Sequence, residues 1–221
     1  MSSEIKKVGV IGSGQMGNGI AHVAALAGFD VVLYDVSPDR LKSGMATING
    51  NLSRQVSKKI ITEDAHKKAL SRIEAKESIE GLADCDLVIE TAVEKEEVKR
   101  KIFHDVCAVL KPEAIVGSNT SSISITRLAA STDRPERFIG IHFMNPVPVM
   151  QLVELIRGIA TEDPTYESAK EFIGKLGKIA TVIRFDERGH GLSDRDVTDH
   201  SLELRLADLE AVVEHAGVER F

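Results

Sequence analysis

The chain has 221 residues, of which 43% are hydrophobic and 28% charged, and its formal net charge at pH 7 is −6. A chain of this size and composition can bury the core of one substantial globular domain with a smaller appendage. The negative charge and the lack of a dominant basic run argue against a nucleic-acid-binding protein, and an aromatic content of 4% without Trp leaves few platforms for base stacking. No run approaches about 18 consecutive apolar residues and the first residues do not resemble a signal peptide, so we expect no membrane association and a cytosolic location.

The two cysteines, Cys85 and Cys107, stand apart from each other in the sequence. Neither belongs to a C-x-x-C motif or lies close to a pair of histidines, so the sequence predicts no metal site and no disulfide framework. We expect both thiols to lie in the core or to be partly buried.

Short apolar runs alternate along the chain with longer stretches that carry apolar residues at helical spacing. The apolar runs cover residues 8–12, 31–35, 86–90, 114–118, 137–143 and 150–156. The predicted helices cover residues 15–27, 38–56, 63–73, 94–110 and 165–176. Such alternation predicts an α/β fold with a mainly parallel sheet covered by helices.

The polar stretch from residue 38 to residue 76 is longer than a normal connection between parallel strands. We expect two helices, joined near residues 60–62, that protrude from the sheet as a helical hairpin. Its faces carry four lysines: Lys58, Lys59, Lys67 and Lys68. From the sequence alone a solvated helical surface is the favoured interpretation, and a basic wall for a phosphate-bearing substrate is the alternative.

A glycine-rich turn follows the first apolar run. Gly12, Gly14 and Gly17 form a G-x-G-x-x-G motif, with Gln15 and Met16 inside it, between a predicted strand and a predicted helix. Such glycines allow a tight turn and let a pyrophosphate approach the backbone at the positive end of the helix dipole.

Asp35 ends the second apolar run, where its carboxylate can accept hydrogen bonds from an adenosine ribose and repel a 2′-phosphate. The glycine turn, the helix, the second strand and the acidic residue follow one another at the expected spacing. This order predicts a Rossmann-type, doubly wound sheet that binds NAD in preference to NADP.

Two longer motifs lie further along the chain. Residues 118–126 read SNTSSISIT, and residues 141–154 read IHFMNPVPVMQLVE. Over roughly residues 4–178 the chain resembles the 3-hydroxyacyl-CoA dehydrogenases, 3-hydroxybutyryl-CoA dehydrogenases included. The resemblance implies reversible, NAD-dependent oxidation of a 3-hydroxyacyl-CoA, with short acyl chains preferred, as in fatty acid β-oxidation and butanoate metabolism.

His142 and Glu154 form the predicted catalytic pair. Oxidation of a secondary alcohol needs a group that takes the hydroxyl proton, and an imidazole at the carboxyl end of a strand suits this role. Glu154 lies in an otherwise apolar strand, where a carboxylate needs a partner, and an imidazolium would supply one. In the family the matching His is the general acid/base, the matching Glu is its partner, and the residue matching Ser121 hydrogen-bonds the substrate oxygen.

The resemblance implies further contacts with ligands. Glu94, Lys99 and Asn145 match positions that contact the cofactor, in addition to the glycine motif and Asp35. Lys58 matches a coenzyme A contact on the helical hairpin, and Asn51 lies where a Ser contact occurs in some members. This shifts the interpretation of Lys58 toward a phosphate contact, while the other three lysines of the hairpin remain assigned to its solvated surface.

Other polar residues receive structural interpretations. His22 lies on the apolar side of the first helix and is expected to be a packed histidine. Ser122 and Ser124 can cap or hydrogen-bond the backbone, and Pro146 and Pro148 are expected to stiffen the connection between the His142 and Glu154 strands.

After about residue 178 the chain departs from the family, whose all-helical C-terminal domain has no counterpart in the sequence. We divide the chain into an NAD-binding domain, residues 1–178, and an atypical tail, residues 179–221, that resembles an early segment of α/β-hydrolases. The sequence of the tail predicts a strand over residues 180–185, a loop over 187–196 and a helix over 202–215. It ends before any G-x-S-x-G motif, so a hydrolase would have no nucleophile in it. A triad of Ser193, Asp194 and His190 is disfavoured because the three residues lie so close together in the sequence.

Two expectations follow from the missing domain. Activity would be low because water is not excluded from the site, and the usual family dimer is in doubt. A fused or rearranged reading frame would explain why two family signatures meet near residue 180. The alternative to an enzyme is a non-catalytic NAD-binding module left from a truncated or fused dehydrogenase.

Overall fold

A computed structural model describes residues 4–181 of the chain and arranges them in one eight-stranded sheet with helices on both faces. The strands are β1 Lys7–Ile11, β2 Asp30–Tyr34, β3 Ile73–Lys76, β4 Leu87–Glu90, β5 Ile115–Ser118, β6 Phe138–Phe143, β7 Leu152–Arg157 and β8 Ile179–Thr181. The helices are α1 Gln15–Leu26, α2 Pro38–Ser57, α3 Glu63–Ser71, α4 Glu96–Cys107, α5 Ile125–Ala129 and α6 Asp163–Lys175. Short 3₁₀ turns cover Ile79–Leu82 and Pro135–Arg137.

The strand order is β3-β2-β1-β4-β5-β6-β7-β8, and every neighbouring pair is parallel except β6 and β7. The chain runs outward from β1 through β2 to β3 and then returns to the other side of β1 with β4. In such a doubly wound sheet, ligands bind outside the carboxyl ends of the strands where the order reverses. The predicted Rossmann-type fold is therefore confirmed, and its topology places the expected crevice beside β1 and β4.

Each face of the sheet buries an apolar layer. One layer packs α1, α2 and α6 on the sheet through residues such as Ile20, Leu41 and Phe172. The other packs α4 and α5 through residues such as Phe103 and Leu128. Strand residues with both faces covered are almost continuously apolar, which explains the short apolar runs of the sequence.

The buried position expected for the two thiols is confirmed. Cys85 is fully buried and Cys107 is 6% exposed, and both thiols are free. Burial raises the pKa of Cys85 to about 12 and that of Cys107 to about 11, so both are unreactive thiols at neutral pH.

The helical hairpin is formed by α2 and α3, which are joined by residues 58–62 and both pack against α1. Ser37 caps α2 and Thr62 caps α3 through their side-chain oxygens, and Pro38 begins α2, a position that proline favours. His22 of α1 is fully buried, and its Nε2 lies 3.2 Å from the Gln55 Oε1 of α2. This confirms the interpretation of His22 as a packed histidine.

Several predicted boundaries were wrong, and two short elements, β3 and α5, were not predicted. Residues 72 and 73 were placed in the helix that begins at residue 63, but α3 ends at Ser71 and Ile73 begins β3, a short edge strand paired only with β2. The helix predicted from residue 94 begins at Glu96, because residues 91–95 form the loop after β4. The five-residue α5 was not predicted, since one turn and a half is too short for a periodic signal.

Residues 182–221 lie outside the described part of the chain. The strand predicted for residues 180–185 overlaps β8 at its first two residues only, and the remainder of that prediction lies outside, together with the loop, the tail helix, and Ser193, Asp194 and His190. Over residues 4–181, no helix combines the length and apolarity that crossing a membrane requires.

Candidate active site at the carboxyl edge of the sheet

The glycine-rich turn leads from β1 into the first turn of α1. Gly12 has a φ of +95°, a conformation that favours glycine, and its N–H donates to the Tyr34 carbonyl oxygen at 2.8 Å. A Cβ on Gly17 would lie 1.7 Å from the Gly12 carbonyl oxygen, so helix and turn approach each other more closely than any side chain allows. A Cβ on Gly14 would meet nothing within 4 Å, and Gly14 caps α1 without a side-chain hydrogen bond. The open helix start fits a pyrophosphate, as the motif predicts.

Asp35 lies beside this turn, immediately after β2, and is 6% exposed. Its Oδ2 accepts from the Ser13 N–H and the Ser13 hydroxyl, both at 2.9 Å, and its Oδ1 accepts from the Ser37 N–H at 3.0 Å. Two backbone donors therefore fix the carboxylate at the rim of the turn, while the serine hydroxyl can rotate away to free a lone pair for a ligand hydroxyl.

A cavity of about 300 Å³ opens where β4, β5 and β6 end beside α1. Its lining includes five residues that the sequence assigned to the site: Met16, Glu94, Ser121, His142 and Asn145. A neighbouring cavity of about 310 Å³ is also lined by Ser121 and His142, together with Glu154. The structure thus brings the predicted catalytic residues and part of the predicted cofactor set to one place.

His142 and Glu154 face each other across the antiparallel pair β6 and β7. His142 Nδ1 lies 2.7 Å from Glu154 Oε2, and the two side chains are 20% and 47% exposed. A carboxylate accepts hydrogen bonds, so this contact assigns a proton to Nδ1, and in the neutral ring Nε2 then presents its lone pair. Direct opposition in the register explains why two residues twelve positions apart in sequence meet.

The loop that carries Ser121 is held by Glu94. Glu94 Oε1 accepts from the N–H groups of Ser121 and Ser122 at 3.0 and 3.3 Å, from the Ser122 hydroxyl at 3.1 Å and from the Thr120 hydroxyl. Burial acts to raise the pKa of Glu94, but the Thr120 hydrogen bond and the Lys99 charge outweigh it and the pKa is lowered. The carboxylate is therefore ionised at neutral pH and fixes the backbone on both sides of the Ser121 Cα.

Lys99 lies beneath this loop and is 1% exposed. Its Nζ contacts Glu90 Oε1 at 2.8 Å and Glu94 Oε2 at 3.3 Å. The ammonium group of Lys99 therefore lies between two carboxylates of the protein. The predicted contact between Lys99 and the cofactor stays a prediction.

The substrate residues predicted on the hairpin lie in different surroundings. Asn51 of α2 lines a third cavity, of about 440 Å³, together with Gln15 of the glycine motif and Asn145. Its Oδ1 accepts a hydrogen bond from the Arg54 guanidinium. Lys58 is exposed at the C-cap of α2 and does not contribute to that lining among the described residues.

Among the residues that the sequence analysis did not single out, three hold the elements around the site together. Asn119 lines the 300 Å³ cavity, and its Oδ1 accepts from the Phe143 N–H at 2.8 Å, which ties the end of β5 to the end of β6. The Thr91 hydroxyl donates to the Ile11 carbonyl oxygen at 2.8 Å and braces the glycine turn from β4. Glu90, fully buried at the end of β4, is the third. Its signal was a carboxylate closing an apolar run, as at Asp35.

Comparison with known proteins extends these observations. The family model described as 3-hydroxyacyl-CoA dehydrogenase, NAD binding domain, matches residues 7–186. A 3-hydroxybutyryl-CoA dehydrogenase of Bradyrhizobium diazoefficiens is 81% identical over 182 residues, which are 82% of this chain and 62% of that protein. A 3-hydroxyadipyl-CoA dehydrogenase of Escherichia coli is 42% identical over 178 residues, which are 80% of this chain and 38% of that protein.

The fold has a close counterpart among solved structures. An (S)-3-hydroxybutyryl-CoA dehydrogenase from Ralstonia eutropha superimposes with a TM-score of 0.80 at 44% sequence identity, over 81% of this chain and 64% of that one. The chain thus spans less than two thirds of the length of each of these three proteins.

Proposed function

Because the chain belongs to the 3-hydroxyacyl-CoA dehydrogenase family through its NAD binding domain, we propose that it catalyses the reversible, NAD-dependent oxidation of a 3-hydroxyacyl-CoA to a 3-oxoacyl-CoA. The observation that carries the proposal is the single cavity lined by Met16, Glu94, Ser121, His142 and Asn145. It joins the start of α1, where the cofactor's pyrophosphate would bind, to a hydroxyl and an imidazole suited to an alcohol.

The chemistry divides between the cofactor and the chain. NAD bound at the glycine turn and Asp35 would supply the acceptor for the hydride that leaves C3 of the substrate. His142 Nε2 takes the proton of the 3-hydroxyl group, which leaves a ketone at C3, and returns that proton in the reverse direction. Glu154 holds Nδ1 and stabilises the imidazolium that results. The Ser121 hydroxyl donates a hydrogen bond to the substrate oxygen and places it beside Nε2.

We propose that the coenzyme A part of the substrate contacts the helical hairpin. Lys58 supplies an exposed charge for a coenzyme A phosphate, and Asn51 supplies a polar side chain in the wall of the adjoining cavity. Relatives named for 3-hydroxybutyryl-CoA and for 3-hydroxyadipyl-CoA support the class of substrate. Four expectations stay predictions: that short acyl chains are preferred, that the protein is cytosolic, that the NAD-binding domain ends at residue 178, and that the usual family dimer is in doubt.

The test follows NADH absorbance with acetoacetyl-CoA as substrate. We expect measurable oxidation of NADH by the whole chain, reduced at least about 100-fold by His142→Ala, the range expected for loss of a general acid. His104→Ala, on an exposed histidine of α4, is the matched control and should leave turnover unchanged. Binding of NADH without any oxidation by the unaltered chain would contradict the proposal and favour a non-catalytic NAD-binding module.

A further inference from the structure

A buried ion pair joins the end of β4 to α4. Glu90 is fully buried and Lys99 is 1% exposed, and Lys99 Nζ lies 2.8 and 3.0 Å from the two carboxylate oxygens of Glu90. Removing both charges from water has a free-energy cost that the pairing often only balances, so a buried pair of this kind is weak support for stability as such. Its neighbours indicate what else it does.

Each oxygen of Glu90 also accepts a hydrogen bond from the protein. Ser118, the last residue of β5, donates its hydroxyl to Oε2 at 2.9 Å, and the Ala92 N–H donates to Oε1 at 2.6 Å. Burial raises the pKa of the Glu90 carboxyl against the opposing effect of Lys99 and these donors. Glu90 is therefore a fixed junction between β4, β5 and the loop that follows β4.

Lys99 extends this junction outward to the site. Besides Glu90, its Nζ contacts the Ala92 carbonyl oxygen at 3.4 Å and Glu94 Oε2 at 3.3 Å. The other oxygen of Glu94 is the acceptor that holds Ser121 and Ser122. From the core to the cavity, the contacts thus run from the Glu90 carboxylate to the Lys99 ammonium group and on to the Glu94 carboxylate. The Glu94 carboxylate then accepts from the backbone N–H groups of the Ser121 loop.

We propose that Glu90 and Lys99 are positioning residues, which hold Glu94 in place and through it fix the loop that presents Ser121 to the substrate oxygen. Among the described residues, the cavity that contains Ser121 and His142 is lined by Thr91, Ala92 and Glu94, but by neither member of the pair. Their effect on Ser121 is therefore transmitted through Glu94. The part of Ser121 in this inference rests on the proposed function, whereas the order of its loop can be measured without it.

The experiment replaces the pair without leaving an unpaired charge in the core, since Glu94, which loses its contact with Lys99, is 40% exposed. Glu90→Gln/Lys99→Met keeps an acceptor oxygen for the Ala92 N–H, and the Ser118 hydroxyl can rotate to accept from the new amide, but the ammonium that holds Glu94 is removed. We expect the variant to fold, with amide hydrogen exchange at Ser121 and Ser122 at least about 10-fold faster. We also expect NADH oxidation with acetoacetyl-CoA to fall at least about 10-fold, since one of the contacts that order this loop is lost.

Two controls separate positioning from general destabilisation. Asp86→Asn/Lys111→Met alters the ion pair at the opposite end of the same strand and should leave exchange at Ser121 and turnover unchanged. Within the test variant, the amides of Lys6 and Lys7, which donate to Asp86 at 2.8 Å, should exchange at the rate of the unaltered chain. Global loosening would accelerate exchange at both ends of β4.

The possible outcomes are distinct. Unchanged exchange at Ser121 and Ser122 in a folded variant would overturn the inference, whatever the turnover. If the unaltered chain oxidises no NADH, the proposed function fails while the exchange measurement still decides the positioning role. If Glu90→Gln/Lys99→Met does not fold, Glu90→Gln/Lys99→Gln, which keeps a donor at residue 99 and leaves no unpaired charge in the core, gives the same comparison.

Discussion

At the scale of single residues, the Asp35 carboxylate is held ready by backbone donors before any ligand binds. Its hydrogen bonds to the N–H groups of Ser13 and Ser37 join the glycine turn to the start of α2. Asp35→Asn removes the charge and replaces one acceptor oxygen by a donor. We expect the affinity for NADH to fall about 10-fold, roughly 1.4 kcal/mol, measured by titration of NADH fluorescence.

Asp30→Asn is the matched control for this prediction, because Asp30 is the exposed first residue of the same strand, β2. It should bind NADH with the affinity of the unaltered chain. Equal affinities for the two variants would mean that Asp35 braces the turn without contacting the ribose.

At the scale of elements, the contrast between Gly17 in α1 and Gly174 in α6 separates a required glycine from a replaceable one. A Cβ at residue 17 would lie 1.7 Å from the Gly12 carbonyl oxygen, whereas a Cβ at residue 174 would meet nothing within 4 Å. We expect Gly17→Ala to lower the free energy of unfolding by more than about 2 kcal/mol and to abolish NADH binding. Gly174→Ala should raise it by about 0.5–1 kcal/mol, since alanine loses less entropy in a helix.

Urea unfolding followed by circular dichroism measures both glycine variants. A Gly17→Ala protein as stable as the unaltered chain would show that α1 can move away from the turn, and the close packing would then not be required. NADH titration of the same variant tells whether the cofactor site survives such a shift.

The features that could be predicted from sequence are those that residues close together in the chain determine. The glycine turn and Asp35 lie within one strand-helix-strand unit, so spacing alone places them together. The opposition of His142 and Glu154 followed from chemistry and from the family resemblance, and the antiparallel register of β6 and β7 supplied the geometry. Edge strand β3 was missed because its four residues carry a single buried apolar side chain, Ile73.

The pair of Glu90 and Lys99 could not be predicted in the same way. The resemblance suggested a cofactor contact for Lys99, but the burial of its ammonium group depends on how α4 packs over β4 and β5. These contacts are between elements, and no spacing within one element encodes them. A carboxylate that ends an apolar strand was the only local signal, and it identifies a residue in need of a partner without naming the partner.

At the scale of the whole molecule, the stability of the described domain should depend on pH through His22. This side chain is fully buried between α1 and α2, and among the described residues its Nδ1 has no hydrogen-bond partner. Burial lowers the pKa of His22 from 6.5, opposed by the Gln55 hydrogen bond and reinforced by the charge of His66. Below pH 6.5 the unfolded chain therefore binds a proton that the folded chain does not, and the free energy of unfolding falls as the pH falls toward the lowered value.

His22→Gln tests this dependence because glutamine can still donate to Gln55 and cannot ionise. We expect the unaltered chain to lose up to about 1.4 kcal/mol per pH unit from this one group below pH 6.5, and the variant to lose correspondingly less. Urea unfolding at pH 7.5, 6.5 and 5.5 measures the difference, with His104→Gln on the exposed face of α4 as the control that keeps the original slope. The prediction fails if the free energy of unfolding changes with pH equally in the unaltered chain and in His22→Gln. His22 would then bind protons equally in the folded and unfolded states, which requires that the packing of α1 against α2 opens enough to hydrate the imidazole.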